Sequence, residues 1–524
     1  MSVFFRPGRY AALSLVCAMA AQGCTAPTVE TIPTAKAALT AEDVWSDLQA
    51  RVSSEGYALT GVKSASGDVT VFSDVTMSGD FPLYGLQFQM IIPDITLTEN
   101  DDGTVAIGWP EHFPITLSGQ MLGESFSAAI SHSQDRLNVS VSGSPGDMTY
   151  DYAAAGLGLT LDGLDIADER LSDDVLDVRF QVNELDGRQK RQVRDNHTLI
   201  TETFKAAGIS WALRFEDPES GGSGIIDGTL KLDRLTSEGE IIIPDKVDMS
   251  NPLQALKAGF ALSSAFTYGA GEMSANMASE AGSVSIRGAV DGGRFISGLD
   301  ARRITYDTGH SGVRLKTTEN LSLPTEIAIA DAELQFEFPL QKSEDLQPFG
   351  FALNLTDFTL SDSLWDLFDP AGALPRDPAT LALDAAGMVK VLMDIFDPGT
   401  TTANFLTTAD AAPGELHALK INEVLISLIG AELTGEGEFA FNPSNTDRTD
   451  DLPFSSGMAR LQLAGASTLI NKLTSLDLLS DDQALSAQML IAMTTDPDGE
   501  SDKLEFTIEF TEDAQILLNG HRIR

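Results

Sequence analysis

Gln87-Phe88-Gln89-Met90-Ile91-Ile92-Pro93-Asp94-Ile95-Thr96-Leu97-Thr98, then Asn100-Asp101-Asp102-Gly103, then Thr104-Val105-Ala106-Ile107-Gly108-Trp109 is the stretch that decides the fold class. The first piece is rich in β-branched residues and reads as a strand. The Asn-Asp-Asp-Gly run is a strong turn, and the third piece returns as a second strand. The same grammar extends outward. Val69-Thr70-Val71, Ile115-Thr116-Leu117, Phe126 to Ile130, Leu137 to Val141, Met148 to Tyr152 and Leu157 to Leu161 all alternate. Turn signals recur about every 8–12 residues, the mark of antiparallel sheet. Asp165 to Arg194 is charged and reads as loop, with one strand at Val175 to Val182. Strands resume over Ile209 to Leu235, Phe266 to Phe358 and Leu416 to Phe441, and a hairpin over Lys503 to Glu509 and Ala514 to Leu518 closes the chain.

Helices interrupt this pattern. Thr40 with Asp43 forms a capping-box-like start, and Val44, Trp45, Leu48 and Val52 follow on one stripe, ended by Gly56. Asn251 and Pro252 open a second helix, with Leu253, Leu256 and Phe260 on its face. A third helical region covers Ser361 to Phe368. Asp377 to Phe396 reads as a longer helix, with Leu381, Met388, Leu392 and Ile395 on one stripe. Thr468 to Leu479 is helical. Ser480 with Gln483 caps another helix whose Leu485 and Met489 are expected to face inward. The expected fold is therefore mainly β with a few helices (α+β), an extended antiparallel curved sheet system.

Three strings hint at internal duplication. Ile91-Ile92-Pro93-Asp94 recurs as Ile242-Ile243-Pro244-Asp245, and Thr149-Tyr150-Asp151 as Thr305-Tyr306-Asp307. Residues 137–143 resemble 282–288, again about 150 residues on. Composition and pattern divide the chain into 1–23, a signal peptide; 24–39, a linker; 40–245 and 246–360, two β-rich units; and 361–524, a helix-plus-strand region.

The chain has 524 residues, 43% of them hydrophobic, enough for a sizeable core. It carries 34 Lys+Arg against 77 Asp+Glu, a formal charge of −43. That balance excludes nucleic acid and disfavours anionic lipid surfaces, because both need clustered basic residues. Arg6 and Arg9 precede an apolar run from Ala11 to Ala21, the layout of an export signal. Cleavage reads two ways. Ala18-Met19-Ala20 suits an ordinary signal peptidase, whereas Ala21-Gln22-Gly23-Cys24 is a lipobox-like string that would acylate Cys24. Removing the signal takes two Arg with it, so the charge moves from −43 to about −45. Cys17 leaves with it, and no internal disulfide is expected. The expected location is the periplasm, with membrane contact only through such a lipid anchor.

Catalytic signatures are missing. The sequence has no His-Glu-x-x-His, no Gly-x-Ser-x-Gly and no Walker A loop. The six histidines are scattered and read as surface or loop residues. Gly435-Glu436-Gly437-Glu438-Phe439-Ala440 fits a loose dinucleotide pattern, but it opens no helix and its glutamates would repel a pyrophosphate. Asp496 to Asp502 has the wrong register for an EF-hand. No cofactor or metal is expected. The alternation of Phe81, Leu83, Phe88 and Met90, and of Leu334, Phe336 and Phe338, has two readings: one face of a common core, or a curved sheet left apolar for acyl chains.

The C-terminal third carries longer strings. Ser361-Asp362-Ser363-Leu364-Trp365-Asp366-Leu367-Phe368-Asp369-Pro370-Ala371-Gly372 is followed by Leu374-Pro375-Arg376-Asp377-Pro378-Ala379-Thr380-Leu381. With Leu433-Thr434-Gly435-Glu436-Gly437 and the terminal Asn519-Gly520-His521-Arg522-Ile523-Arg524, this resembles an uncharacterised Gram-negative periplasmic family, the domain of unknown function numbered two-one-two-five. Leu39 to Trp45 and Phe266 to Gly271 fit the same pattern, while His521 stands where Gln is expected. The resemblance implies a signal peptide and export, and supplies no activity and no catalytic residues. Its motif residues Trp365, Asp369, Pro370, Arg376, Asp377, Pro378, Gly435, Gly437, Asn519 and Gly520 are expected to be architectural, since they sit at helix starts and turns. A looser, fold-level likeness is to AsmA-like envelope proteins, which are strand-rich, groove-forming and implicated in moving phospholipid.

The expected function is a non-enzymatic envelope protein whose partner is a lipid or other apolar ligand on a concave sheet, or other envelope proteins. The alternatives are a periplasmic hydrolase of envelope polymers using an acidic pair, and an envelope scaffold.

Overall fold

A computed structural model describes residues 39–523, except 55–56, 82–85, 122–123, 168, 172–174, 218–223, 248–250, 281, 320–323, 397–413, 443–453, 477, 495–501 and 512–514. The chain is mainly β, as its alternation predicts: 26 antiparallel strands and five helices among the described residues. Two compact units divide it, residues 1–287 and 288–524. Cys24 and the turn at 495–501 lie outside the described residues.

In the first unit, helix α1 (Ala41–Ser54) precedes β1 (Tyr57–Ser66), β2 (Val69–Phe81), β3 (Leu86–Glu99), β4 (Val105–Gly108), β5 (His112–Met121), β6 (Glu124–Asp135) and β7 (Asn138–Ser144). The long strands β8 (Asp147–Ile166), β10 (Leu176–Val193), β11 (His197–Glu216) and β12 (Ile225–Pro244) follow, with the short β9 (Glu169–Leu171) after β8. Helix α2 (Pro252–Lys257), β13 (Ala261–Tyr268) and β14 (Gly271–Ser279) come next, and β15 (Gly282–Val290) runs across the division.

The α1 start forms as predicted. Thr40 N–H donates to Asp43 Oδ2 (3.1 Å), and Asp43 N–H donates back to Thr40 Oγ1 (3.2 Å). Val44 and Trp45 are buried, and Trp45 stacks on Phe72 with ring centroids 3.7 Å apart. They close a first core over β2, β3, β4 and β8. A second core joins Leu117, Phe126, Ile130, Leu161, Leu176 and Val178. Asn251 Oδ1 accepts from Gln254 N–H (3.1 Å), so α2 also starts where its cap and Pro252 predict.

A crease crosses this unit. Each long strand leaves a residue out of its ladder at one line: Ala155 in β8, Glu184 in β10, Ala207 in β11 and Arg234 in β12. Glu184 and Arg234 take left-handed φ values of 49° and 51°. An unpaired residue shifts the alternation by one. Met148, Tyr150 and Ala154 are buried before the line, and Leu161 after it. This corrects two readings. Residues 148–161 form one strand rather than two, and the supposed loop at Asp165 to Arg194 is mostly β10.

In the second unit come β16 (Gly292–Leu299), β17 (Arg303–Glu319), β18 (Thr325–Pro339), β19 (Gln347–Leu360), helix α3 (Asp362–Trp365), β20 (Ala379–Val391), β21 (Gly414–Leu428), β22 (Ala431–Phe441) and β23 (Phe454–Ala464). Helices α4 (Ala466–Ser475) and α5 (Asp481–Thr494) precede β24 (Lys503–Phe510), β25 (Ile516–Leu518) and β26 (His521–Arg522). From β16 to β26 each strand pairs antiparallel with the next.

Two expectations fail here. Asp377 to Phe396 is not a helix, because 379–391 is β20. Its small residues suit a helix by propensity, but they are needed for packing: a side chain at Gly387 would enter the Phe349 ring. The Ser480–Gln483 cap of α5 forms (3.1 and 3.4 Å), yet Ala484 is the buried residue, and Leu485 and Met489 are 58% and 63% exposed. One of the three duplicated strings sits in unlike settings. Ile91 to Asp94 lies inside β3, whereas Ile242 to Asp245 runs off the end of β12.

Candidate functional site

The strand register of the second unit sorts its residues into two unlike faces. Directly paired residues share a face. One row runs Tyr306–Phe336–Phe351–Ala385–Ile421–Gly437–Ala459–Ile508–Leu518 across nine strands. The next runs Thr308–Leu334–Leu353–Leu383–Val424–Gly435–Leu461–Phe506. A third crosses Leu355, Leu381, Ile426, Leu433, Leu463 and Leu504. All are apolar except at the β17 end.

The intervening residues point the other way, and the charged ones are among them: Glu333, Asp384, Glu423, Glu436, Arg460 and Glu505, beside Ala382, Thr434 and Gln462. Arg294 bridges Asp307 and Glu333 there (3.0 and 3.1 Å), and Arg460 pairs with Glu436 (3.2 Å). The apolar face is not a closed core. Leu334, Phe336, Leu353, Leu383, Val424 and Leu461 are half-buried, Phe351 is exposed, and Thr308, Val391, Phe439, Leu504 and Leu518 along it are buried.

Two glycines singled out in the sequence lie on this face. A Cβ at Gly435 would run into Leu461, and one at Gly437 would sit 3.0 Å from the Phe439 ring. Neighbouring side chains fill the space that these residues leave. The pattern Gly435 to Ala440 is thus strand, with Glu436 and Glu438 on the charged side and no phosphate cradle.

The other motif residues build a connection after β19. Trp365 and Asp369 are buried, while Pro370, Asp377 and Pro378 are exposed. The Asp369 carboxylate accepts from the backbone N–H of Ala373 (2.9 Å) and Leu374 (2.8 Å). The Leu374 bond is the main cause that holds its carboxyl below the usual range. Arg376 pairs with Asp362 and Asp366, donates to the Asp369 carbonyl (3.2 Å), and lies 5.9 Å over the Trp365 ring. At the far end Asn519 and Gly520 have φ of 49° and 78°, the two-residue turn between β25 and β26. Thr507 N–H donates to Asn519 Oδ1 (2.8 Å), which ties that turn to β24.

Sequence reading missed a polar cluster in the first unit. Asp47 on α1 accepts from Tyr150 Oη (2.7 Å) and from Arg191 Nη1, and both Asp47 and Arg191 are buried. Burial first, then the Asp47 charge, pushes the Tyr150 hydroxyl well above its ordinary value. Arg51 donates to Gln189, whose amide reaches Glu202 (3.3 Å). The α1 residues lie over 100 positions from Tyr150, Gln189 and Arg191, so no spacing signal marks them. Its centre, Asp47, Tyr150, Gln189 and Arg191, is buried, and it ties α1 to β8 and β10.

The histidines are not in loops. All six lie in strands, and His132 and His310 are half-buried. Burial lowers the pKa of both, with His112 adding to the effect at His132 and Arg294 at His310. Among the described residues no group of three or more His, Cys, Asp or Glu side chains is placed to hold a metal. Among the described residues no helix is long and apolar enough to cross a membrane. No protein-family model matches the chain, and no curated protein matches it.

Proposed function

We propose that this chain is a non-enzymatic, exported envelope protein that binds lipid or another apolar ligand on a β-sheet face. The observation that carries the reading is the half-buried apolar face of the second unit, running over nine strands from Tyr306 to Leu518 and backed by a face that carries the unit's strand acids. Apolar patches of this extent on a folded chain mark binding surfaces. A ligand gains there by burial alone, at roughly 25 cal/mol per Å² removed from water. The signal-like N-terminus and the resemblance to the uncharacterised periplasmic family support export. Lipid attachment at Cys24 would add a membrane anchor. Native mass spectrometry of the protein purified from periplasm tests the reading. Copurified lipid is expected, and a clean ligand-free mass would sink it.

A further inference from the structure

Strand β1 has an open edge. Among the described residues it pairs with β2 alone. The other strands with a single neighbour, β9 and β26, are three and two residues long, too short to template another strand. β1 has ten residues, and all of them from Thr60 to Ser66 are exposed. The Leu59 C=O accepts from Gln49 Nε2 (3.0 Å) on α1, so it points away from β2. Backbone direction alternates along a strand, so Gly61, Lys63 and Ala65 turn their N–H and C=O groups the same way. Among the described residues nothing outside the β1–β2 ladder bonds to these groups. Long edges are commonly guarded by proline or by free charge. β1 has no proline, and its one charged residue, Lys63, is held by Glu42 of α1. Val62, an apolar residue in the middle of this stretch, is 65% exposed.

Such an edge accepts a strand, and its own sequence is self-complementary. When β1 meets a second β1 antiparallel, only the outward odd positions can exchange hydrogen bonds. That leaves a two-fold axis at Val62, Lys63 or Ser64. An axis at Lys63 sets two lysines directly opposite each other, which is unfavourable. An axis at Ser64 sets Gly61 against Gly67, where the chain already turns at φ 61°, and only Lys63 and Ala65 pair. An axis at Val62 pairs Gly61 with Lys63 and Leu59 with Ala65, and sets Thr60 beside Ser64. It also brings the two Val62 side chains together at a non-hydrogen-bonded position, where side chains lie closest. No like charges face each other. We propose that two copies of this chain pair antiparallel along β1, with the two-fold axis at Val62. The proposal is independent of ligand binding by either unit.

Sedimentation velocity on the full chain tests it. The pairing is small for a specific interface, so a dimer is expected at about 100 μM protein, in about 0.5 M salt to screen the repulsion between two acidic chains. Val62→Lys sets like charges on the axis at a position exposed in the monomer. It should weaken dimerisation about tenfold or more and leave the urea midpoint unchanged. Val62→Cys reads the register, with Cys17 and Cys24 replaced by Ser. Its two Cα atoms would lie about 4.5 Å apart, within disulfide range, so mild oxidation should link the copies. Ser64→Cys in the same background should link far less. A monomeric wild type, a dimer that survives Val62→Lys, or equal linking of Ser64→Cys and Val62→Cys would each overturn the proposal.

Discussion

Asp47 sits at the end of a buried chain of donors, and that position sets what its loss would do. Replacing Asp47 with Ala leaves the Arg191 guanidinium buried without its carboxylate, and Arg191 Nε already lacks an acceptor. The expected loss is about 3–5 kcal/mol, as for other broken buried pairs, read from urea unfolding by tryptophan fluorescence. Breaking the exposed pair Arg460–Glu436 should cost less than about 1 kcal/mol. A second consequence concerns pH. Burial lowers the pKa of His132 in the folded chain. Between that lowered value and the ordinary 6.5, the unfolded chain binds the extra proton. Stability contributed by this residue is therefore present above 6.5 and lost as pH falls through that window. Urea midpoints measured from pH 7.5 down to about 5 should fall less steeply in His132→Phe than in the wild type; parallel curves would refute the assignment. The residue scale also shows where sequence reading stops. Thr40 and Asp43 are three positions apart and their cap was legible. Asp47 and Arg191 are joined only by the fold.

At the scale of elements, the unpaired residues matter most. They explain why strands were legible while their lengths were not. A period of two broke between Tyr152 and Leu157 and after Val182, near Ala155 and Glu184, where the ladders skip a residue. β20 was hidden for a different reason. Ala379 to Val391 is rich in small residues, and only the Phe349 ring lying over Gly387 shows why. α5 was found by its cap, but its facing was misread because apolar residues surround it. The left-handed positions make a quantitative expectation. Glu184 is exposed at φ 49°, a conformation that costs an ordinary residue about 1–2 kcal/mol. Glu184→Gly should therefore leave stability equal or raise it by up to about 1 kcal/mol, since glycine's extra unfolded-state entropy offsets part of the relief. Glu184→Val should lower it by a similar amount, because a β-branched side chain tolerates that φ least. Equal losses in both variants would show that the strand does not turn there.

At the scale of the whole chain, the two units bury apolar residues differently, and the acidic charge acquires a place. Most fully buried apolar residues belong to the first unit, where α1 closes one core. In the second unit the strands segregate instead: aliphatic and aromatic residues on one face, and a mixed face that carries the acids on the other. The charge of −43 thus keeps one side of a sheet wet without touching its apolar side. Neighbouring positions on one strand should then respond oppositely to the same substitution. Leu353 pairs with Leu334 and Leu383 on the apolar face, and Asn354 pairs with Glu333 and Ala382 on the charged one. The folded protein should enhance the fluorescence of a neutral dye such as Nile red. Leu353→Glu should reduce that enhancement several-fold, because a carboxylate in the middle of the face keeps its water. Asn354→Glu should leave it unchanged, since its side chain lies beside Glu333 on the opposite face. Urea midpoints of both variants separate loss of the face from loss of the fold. If the two substitutions quench the dye equally, the signal comes from general loosening and the apolar face binds nothing. If only Leu353→Glu does, the binding surface is the one that alternation along β18 and β19 marks out.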